Sequence, residues 1–148
     1  MMRRLLATLA GLRRDDRGAM VVEFALLAPA FLVMIFGVMY VGMGLQNYNA
    51  IRNLSADIAR QALVQQQNGN TLSPSQIRTF AFSRAGGAPY MLDPSRLEVR
   101  VDDAATQRIT GVRELEIVVT YQVDNMLEFA GIPAPFFTYT RPVFLSTT

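Results

Sequence analysis

From Ala19 to Leu45 the chain is apolar, glycine or proline at every position except Glu23, with no polar face at any helical period. Those 27 residues would form a helix of roughly 40 Å at about 1.5 Å per residue, longer than the roughly 30 Å hydrocarbon core of a bilayer. The pattern then changes. In "QNYNAIRNLSADIARQALVQQQ", Tyr48, Ile51, Leu54 or Ser55, Ile58 and Ala62 recur at three- and four-residue steps, while Arg52, Asp57 and Arg60 fall largely elsewhere. No glycine or proline intervenes between Leu45 and Gln67, so one helix is expected from about Ala19 to about Gln66, ended by "NGN" at 68–70. Its first half suits lipid, and its second half carries an apolar stripe for packing.

A second helix, over 73–86, is announced by "SPSQIRTFAFSRAGG". Ser73 is placed to cap, Pro74 suits the first helical position, and Gln76 completes a capping box. Ile77, Phe80, Ala81 and the stem of Arg84 form its expected buried side, and Gly86-Gly87 its stop. Period-two alternation follows: Leu97, Val99 and Val101 near 97–102, then Leu115, Ile117, Val119, Tyr121 and Val123 near 113–123. A third extended segment near 136–146 alternates Phe137, Tyr139 and Arg141, and Pro142, lacking an N–H, marks it as an edge. The expected class is α+β: a long N-terminal transmembrane helix running into a small domain of residues 46–148, with a second helix and an antiparallel sheet of about three strands.

Composition narrows the chemistry. Cysteine and histidine are both absent, which removes disulfides, the thiol nucleophile, the commonest general base and the commonest metal ligand. No phosphate loop, dinucleotide fingerprint, catalytic triad or zinc spacing is found, so an enzyme, a cofactor and a metal are not expected. Asp102-Asp103 is a weak candidate for a cation site, with a solvated turn as the blander reading. Phe136, Phe137, Tyr139 and Phe144 form either an adhesive aromatic surface or the packing of an edge strand.

All fourteen basic residues are arginine, and Arg3, Arg4, Arg13, Arg14 and Arg17 precede Ala19 with only Asp15 and Asp16 against them. The remainder has a formal charge near −1, which argues against nucleic acid and toward topology. By the positive-inside rule, residues 1–18 stay cytoplasmic and the C-terminal domain is sent across, to the periplasm or outside. Leu5, Leu9 and Leu12 share a helical face ringed by arginine, the pattern of a short surface helix, with plain retention charge an adequate alternative. A removable secretory signal fits poorly: the apolar run is about twice the usual length, and Ala28-Pro29-Ala30 lies in its first half.

Glu23 lies about 6 Å inside the apolar boundary, where a carboxylate can snorkel to cytoplasmic water at little cost. That accounts for its being tolerated but leaves the glycine five residues earlier unexplained. Pro29 frees the Ala25 carbonyl and softens the helix, although membrane helices tolerate proline anyway. Gly37, Gly42 and Gly44 permit close helix approach, with Gly37 and Gly44 seven apart on one face.

Gly18 followed by Ala19-Met20-Val21-Val22-Glu23-Phe24 and a long apolar run resembles the class III signal of type IV pilins and pseudopilins, cut directly after the glycine by a membrane aspartate protease. Within that superfamily, residues 15 to 63 resemble the TadE-like proteins of the tight-adherence (Flp) pilus, through Arg17-Gly18, Glu23-Phe24, Pro29, Gly37 and Ala59-Arg60. TadF-like and TadG-like relatives share this block. The resemblance implies a processing site at Gly18 and Ala19, and an assembly contact at Glu23 and Phe24. There the carboxylate would pair with the Ala19 amine of a neighbouring subunit and fix its stagger. It implies no catalytic residue. The implied partners are a prepilin peptidase, other pilins and minor pilins, inner-membrane Tad platform proteins and membrane lipid. The family's major pilin is much shorter, so a chain with a domain resembles a minor pilin of the bacterial inner membrane. An uncleaved single-pass scaffold of an envelope or secretion complex is the alternative.

Overall fold

The computed structural model describes residues 16–146, with side chains from Gly18 onward; the expected leader helix around Leu5, Leu9 and Leu12 lies outside them. The first helix, α1, runs from Asp16 to Gln67 with Pro29 inside it. It starts three residues before the expected Ala19, where Asp16 lies in a first turn that favours negative charge. Its end follows the expected "NGN" closely. Gly69 takes φ +76°, its N–H donates to the Gln66 carbonyl at 3.0 Å, and the Asn70 N–H donates to the Gln65 carbonyl at 2.9 Å. This is the Schellman pair, which satisfies carbonyls the last turn would otherwise leave open.

The second helix, α2, spans Pro74–Ala85. Its capping box forms as read: the Gln76 N–H donates to Ser73 Oγ at 3.3 Å and the Ser73 N–H donates to Gln76 Oε1 at 2.8 Å. Ile77 and Ala81 are buried as expected, joined by Ala85. Phe80 is half-buried, with the Arg84 guanidinium 5.8 Å from its ring centre. Strands β1 (Leu97–Asp103), β2 (Val112–Gln122) and β3 (Phe136–Ser146) form an antiparallel sheet in the order β1-β2-β3. The fold is thus the expected α+β, pilin-like one.

One sheet face is the core. Leu97, Val99, Val101, Leu115, Ile117, Val119, Tyr121, Val143 and Leu145 are buried there together with Ile51, Leu54, Ile58 and Ala62 of α1 and Ile77 and Ala81 of α2. Every residue of the expected β1 and β2 alternation is buried, Val123 included although it lies just past the strand. β3 is an edge, as Pro142 requires.

α1 lies along β3 in the same direction, one contact following another. Gly44 meets Phe137, Tyr48 packs edge-on against Phe137 and Tyr139 at 6.1 and 6.2 Å, Arg141 Nε donates to Ser55 Oγ at 3.3 Å, and Gln66 Nε2 donates to the Ser146 carbonyl at 2.9 Å. The two rises agree. Twenty-two helical steps at about 1.5 Å and nine strand steps at about 3.3 Å both cover roughly 30 Å. The helix also explains its own serine. Ser55 is fully buried and donates to the Arg52 carbonyl at 2.7 Å, and it accepts from Arg141, whose guanidinium lies 5.5 Å from the Tyr139 ring centre.

The sheet's other face holds a buried carboxylate that the pattern of alternation does not reveal. Glu114 is buried beneath the β1–β2 loop: Arg108 grips it with both Nε and NH2, the Arg108 backbone N–H donates to it at 3.3 Å, and Gln107 Oε1 accepts from the Glu114 N–H at 2.6 Å. The Arg108 bonds hold the Glu114 carboxyl below the usual glutamate range. A lowered folded-state value means that the stabilisation is fully present above the ordinary value of 4.5 and is lost as pH falls from there through the lowered one. Glu114→Gln should therefore be less stable at neutral pH and lose less on acidification, read by thermal unfolding of the full chain in detergent. A wild-type profile for that variant would remove Glu114 from the stability account.

Candidate functional site

Residues Gly18–Val38 form a compact unit of their own, distinct from the unit of residues 39–148. The helix is long and apolar enough to cross a membrane, and its most apolar window has no buried residue. Met20, Phe24, Leu26 and Val38 are each more than 70% exposed. A core helix of a soluble domain would have its apolar face covered, whereas this one is exposed at most positions, with only Ala28, Val33, Phe36 and Gly37 partly covered.

Gly18 lies in the first turn of α1, and a Cβ placed on it meets nothing within 4 Å. Ala19 follows it, exposed. Glu23 is also exposed, and among the described residues it has no hydrogen-bond or ion-pair partner. Phe24 is 72% exposed beside it. Pro29 is exposed within the uninterrupted helix, and a Cβ on Gly37 or Gly42 also meets nothing.

Gly44 behaves differently. A Cβ there would lie 3.2 and 3.3 Å from two ring atoms of Phe137, so the close approach at this glycine is made by the chain's own β3 rather than by a second helix. The shared face read for Gly37 and Gly44 is therefore divided: Gly37 is open and Gly44 is filled. Gly44→Val should crowd the ring and destabilise the domain by about 1–3 kcal/mol, the usual cost of overpacking, while Gly37→Val should leave it unchanged. Thermal unfolding of the full chain in detergent compares them, and equal melting temperatures would contradict the packing.

The domain's packing begins earlier on α1 than the expected boundary at Gln46. Its compact unit starts at Met39, and Tyr40 is only 8% exposed. Tyr40 is the one hydroxyl-bearing residue of the apolar run, a signal that a count of apolarity passes over. From Ala19 to Val38 about 20 residues lie outside that unit, close to 30 Å of helix and about the thickness of one hydrocarbon core.

Two other candidate sites are resolved by their neighbours. Asp103 accepts from Arg113 Nε at 2.6 Å and from Arg113 NH2 at 3.0 Å, which lowers its carboxyl below the usual range, and among the described residues no cluster of three potential metal-ligating side chains exists. The cation reading of Asp102-Asp103 gains no support, because the Asp103 carboxylate is already matched by Arg113. Of the aromatic residues of β3, Phe137 and Tyr139 pack against the core, Phe144 lies under the Arg108 guanidinium at 5.4 Å, and Phe136 is 72% exposed. One further pair was not legible in the sequence: the Tyr90 hydroxyl donates to Asp57 Oδ2, and burial together with that bond pushes its pKa up to about 12.

No curated protein and no solved structure matches the chain significantly. One family model does, that of the TadE-like proteins, over residues 18–60. The matched segment begins at the glycine of the charge boundary, contains Glu23, and ends within the outer half of α1. Over that segment, less than a third of its length, the chain is similar to the TadE-like proteins.

Proposed function

We propose that this chain is a minor pilin or pseudopilin of a Tad-type pilus, made as a single-pass precursor in the bacterial inner membrane and serving adhesion or secretion. Its N-terminus faces the cytoplasm and its α+β domain the periplasm. A prepilin peptidase cuts after Gly18, and the freed Ala19 amine heads an apolar helix that assembles beside other pilins and the inner-membrane Tad platform proteins. The observation that carries this reading is the exposed apolar helix bearing a single carboxylate that has no partner among the described residues. Such a surface is stable only in lipid or among like helices, and Glu23 in that setting calls for a cation, which a neighbouring subunit's N-terminal amine supplies.

One observation favours the uncleaved scaffold as a second reading. α1 continues through Gly18 to Asp16, and a peptide bond within a helix must unwind before a protease can hold it. Against this, glycine weakens the helix at the scissile position. N-terminal sequencing of the membrane-bound protein decides between them. A mature chain starting at Ala19 is expected, and one starting at Met1 or Met2 would overturn the pilin reading.

A further inference from the structure

The end of the domain where α1 enters it carries a second apolar surface, separate from the spanning helix. The loop and strand start from Asn125 to Phe137 contain one charged residue, Glu128, in thirteen positions. Leu127 is buried and anchors the loop, and the Val123 N–H donates to the Pro135 carbonyl at 3.1 Å, closing its base. Phe129, Ile132 and Phe136 are exposed, Phe136 to 72%. The neighbouring acid is matched, since Asp124 accepts from Arg96 NH1 at 2.7 Å.

This surface lies at the level where the chain leaves the apolar run. Phe137, next to Phe136, packs on Gly44, and Asp124 is the charged neighbour of the buried Tyr40 hydroxyl. Leu45, on the same stretch of helix, is 61% exposed. If Ala19 to Val38 fill the hydrocarbon core, Tyr40 stands at the headgroup level, where amphipathic aromatic rings concentrate, near Asp124 at the start of the loop. The opposite end of the sheet, with the β1–β2 loop and Ser146, lies away from Gly44 along the α1–β3 alignment.

We infer that the β2–β3 loop is a second membrane contact, inserting Ile132, Phe136 and the adjoining apolar side chains into the outer-face headgroup region of the bilayer that α1 spans. This rests on the spanning reading of α1 given above. Contact at two places, a helix and a loop, would fix the tilt of the domain over the bilayer before extraction into a filament.

The chain has no tryptophan, so each introduced indole reports alone. Full-length Ile132→Trp, Phe136→Trp, Leu32→Trp and Ile109→Trp are reconstituted in phosphatidylcholine–phosphatidylglycerol vesicles containing lipids brominated either high or low in the acyl chain. Leu32→Trp should be quenched most by the deep bromines. Ile132→Trp and Phe136→Trp should be blue-shifted and quenched most by the shallow ones, and Ile109→Trp, in the β1–β2 loop, should be insensitive to both. If Leu32→Trp is quenched while the 132 and 136 variants behave like Ile109→Trp, the loop contact is wrong and the spanning helix stands. If the 132 and 136 variants are quenched and Leu32→Trp is not, the spanning reading fails and the loop still touches lipid. Protection of the 132 and 136 variants from an aqueous quencher without bromine quenching would assign the surface to another protein and overturn the lipid contact.

Discussion

Replacing Gly18 by valine should leave the chain at precursor length. In the folded protein the substitution has room, because a Cβ at Gly18 meets nothing within 4 Å, and valine is a better helix former than glycine, so the helix loses nothing. The expected loss of processing therefore reports the protease and not the fold. A glycine lets the chain take backbone conformations that valine cannot, and valine stiffens the scissile position. Immunoblotting of membranes should show the mature band falling from predominant to undetectable, with total protein and thermal unfolding unchanged. Normal maturation of Gly18→Val would remove Gly18 from the processing site. Gly37→Val, equally free of contacts, is the control: it should be processed fully.

Loss of Glu23 should act one step later. Glu23→Ala is expected to be cut normally, since the carboxylate is exposed and contacts no described residue, yet to enter pili at roughly a tenth of the wild-type level or less. On the proposed reading, cleavage after Gly18 would release an amine at Ala19, and that amine is the physical reason. In an apolar bundle that cation is stable only when paired, and removing its partner leaves a buried charge, which costs far more than the pair contributes. The effect is also one of register, because a wrong stagger leaves both charges unpaired. Quantifying the variant in sheared pili against the membrane pool tests this, and co-purification at wild-type levels would overturn the pairing. Glu23→Gln separates charge from size, and it should fail as Glu23→Ala does.

Local chemistry made much of the fold legible. The capping box at Ser73 and Gln76 and the stop at Gly69 depend on residues within one turn of each other, and both formed as read. Alternation in β1 and β2 and the stripe from Ile51 to Ala62 depend only on period, and those residues are buried. What escaped were contacts between residues far apart in the chain. Glu114 falls on the polar side of an alternating strand, and only the fold-back of Gln107 and Arg108 buries it. Ser55 reads as an imperfection of an apolar stripe until Arg141 arrives from a strand 86 residues later.

The sequence by itself determined that an apolar helix with one carboxylate begins at a basic boundary, because charge, hydropathy and period are properties of neighbouring residues and survive without a fold. Tertiary structure alone decided where that helix joins the domain. By composition the apolar run ends at Leu45, but Tyr40 and Gly44 are taken up by the domain, since a glycine on α1 and an aromatic ring on β3 meet only when the sheet lies against the helix. That contact leaves about 20 residues outside the domain, close to the length a helix needs to cross a hydrocarbon core.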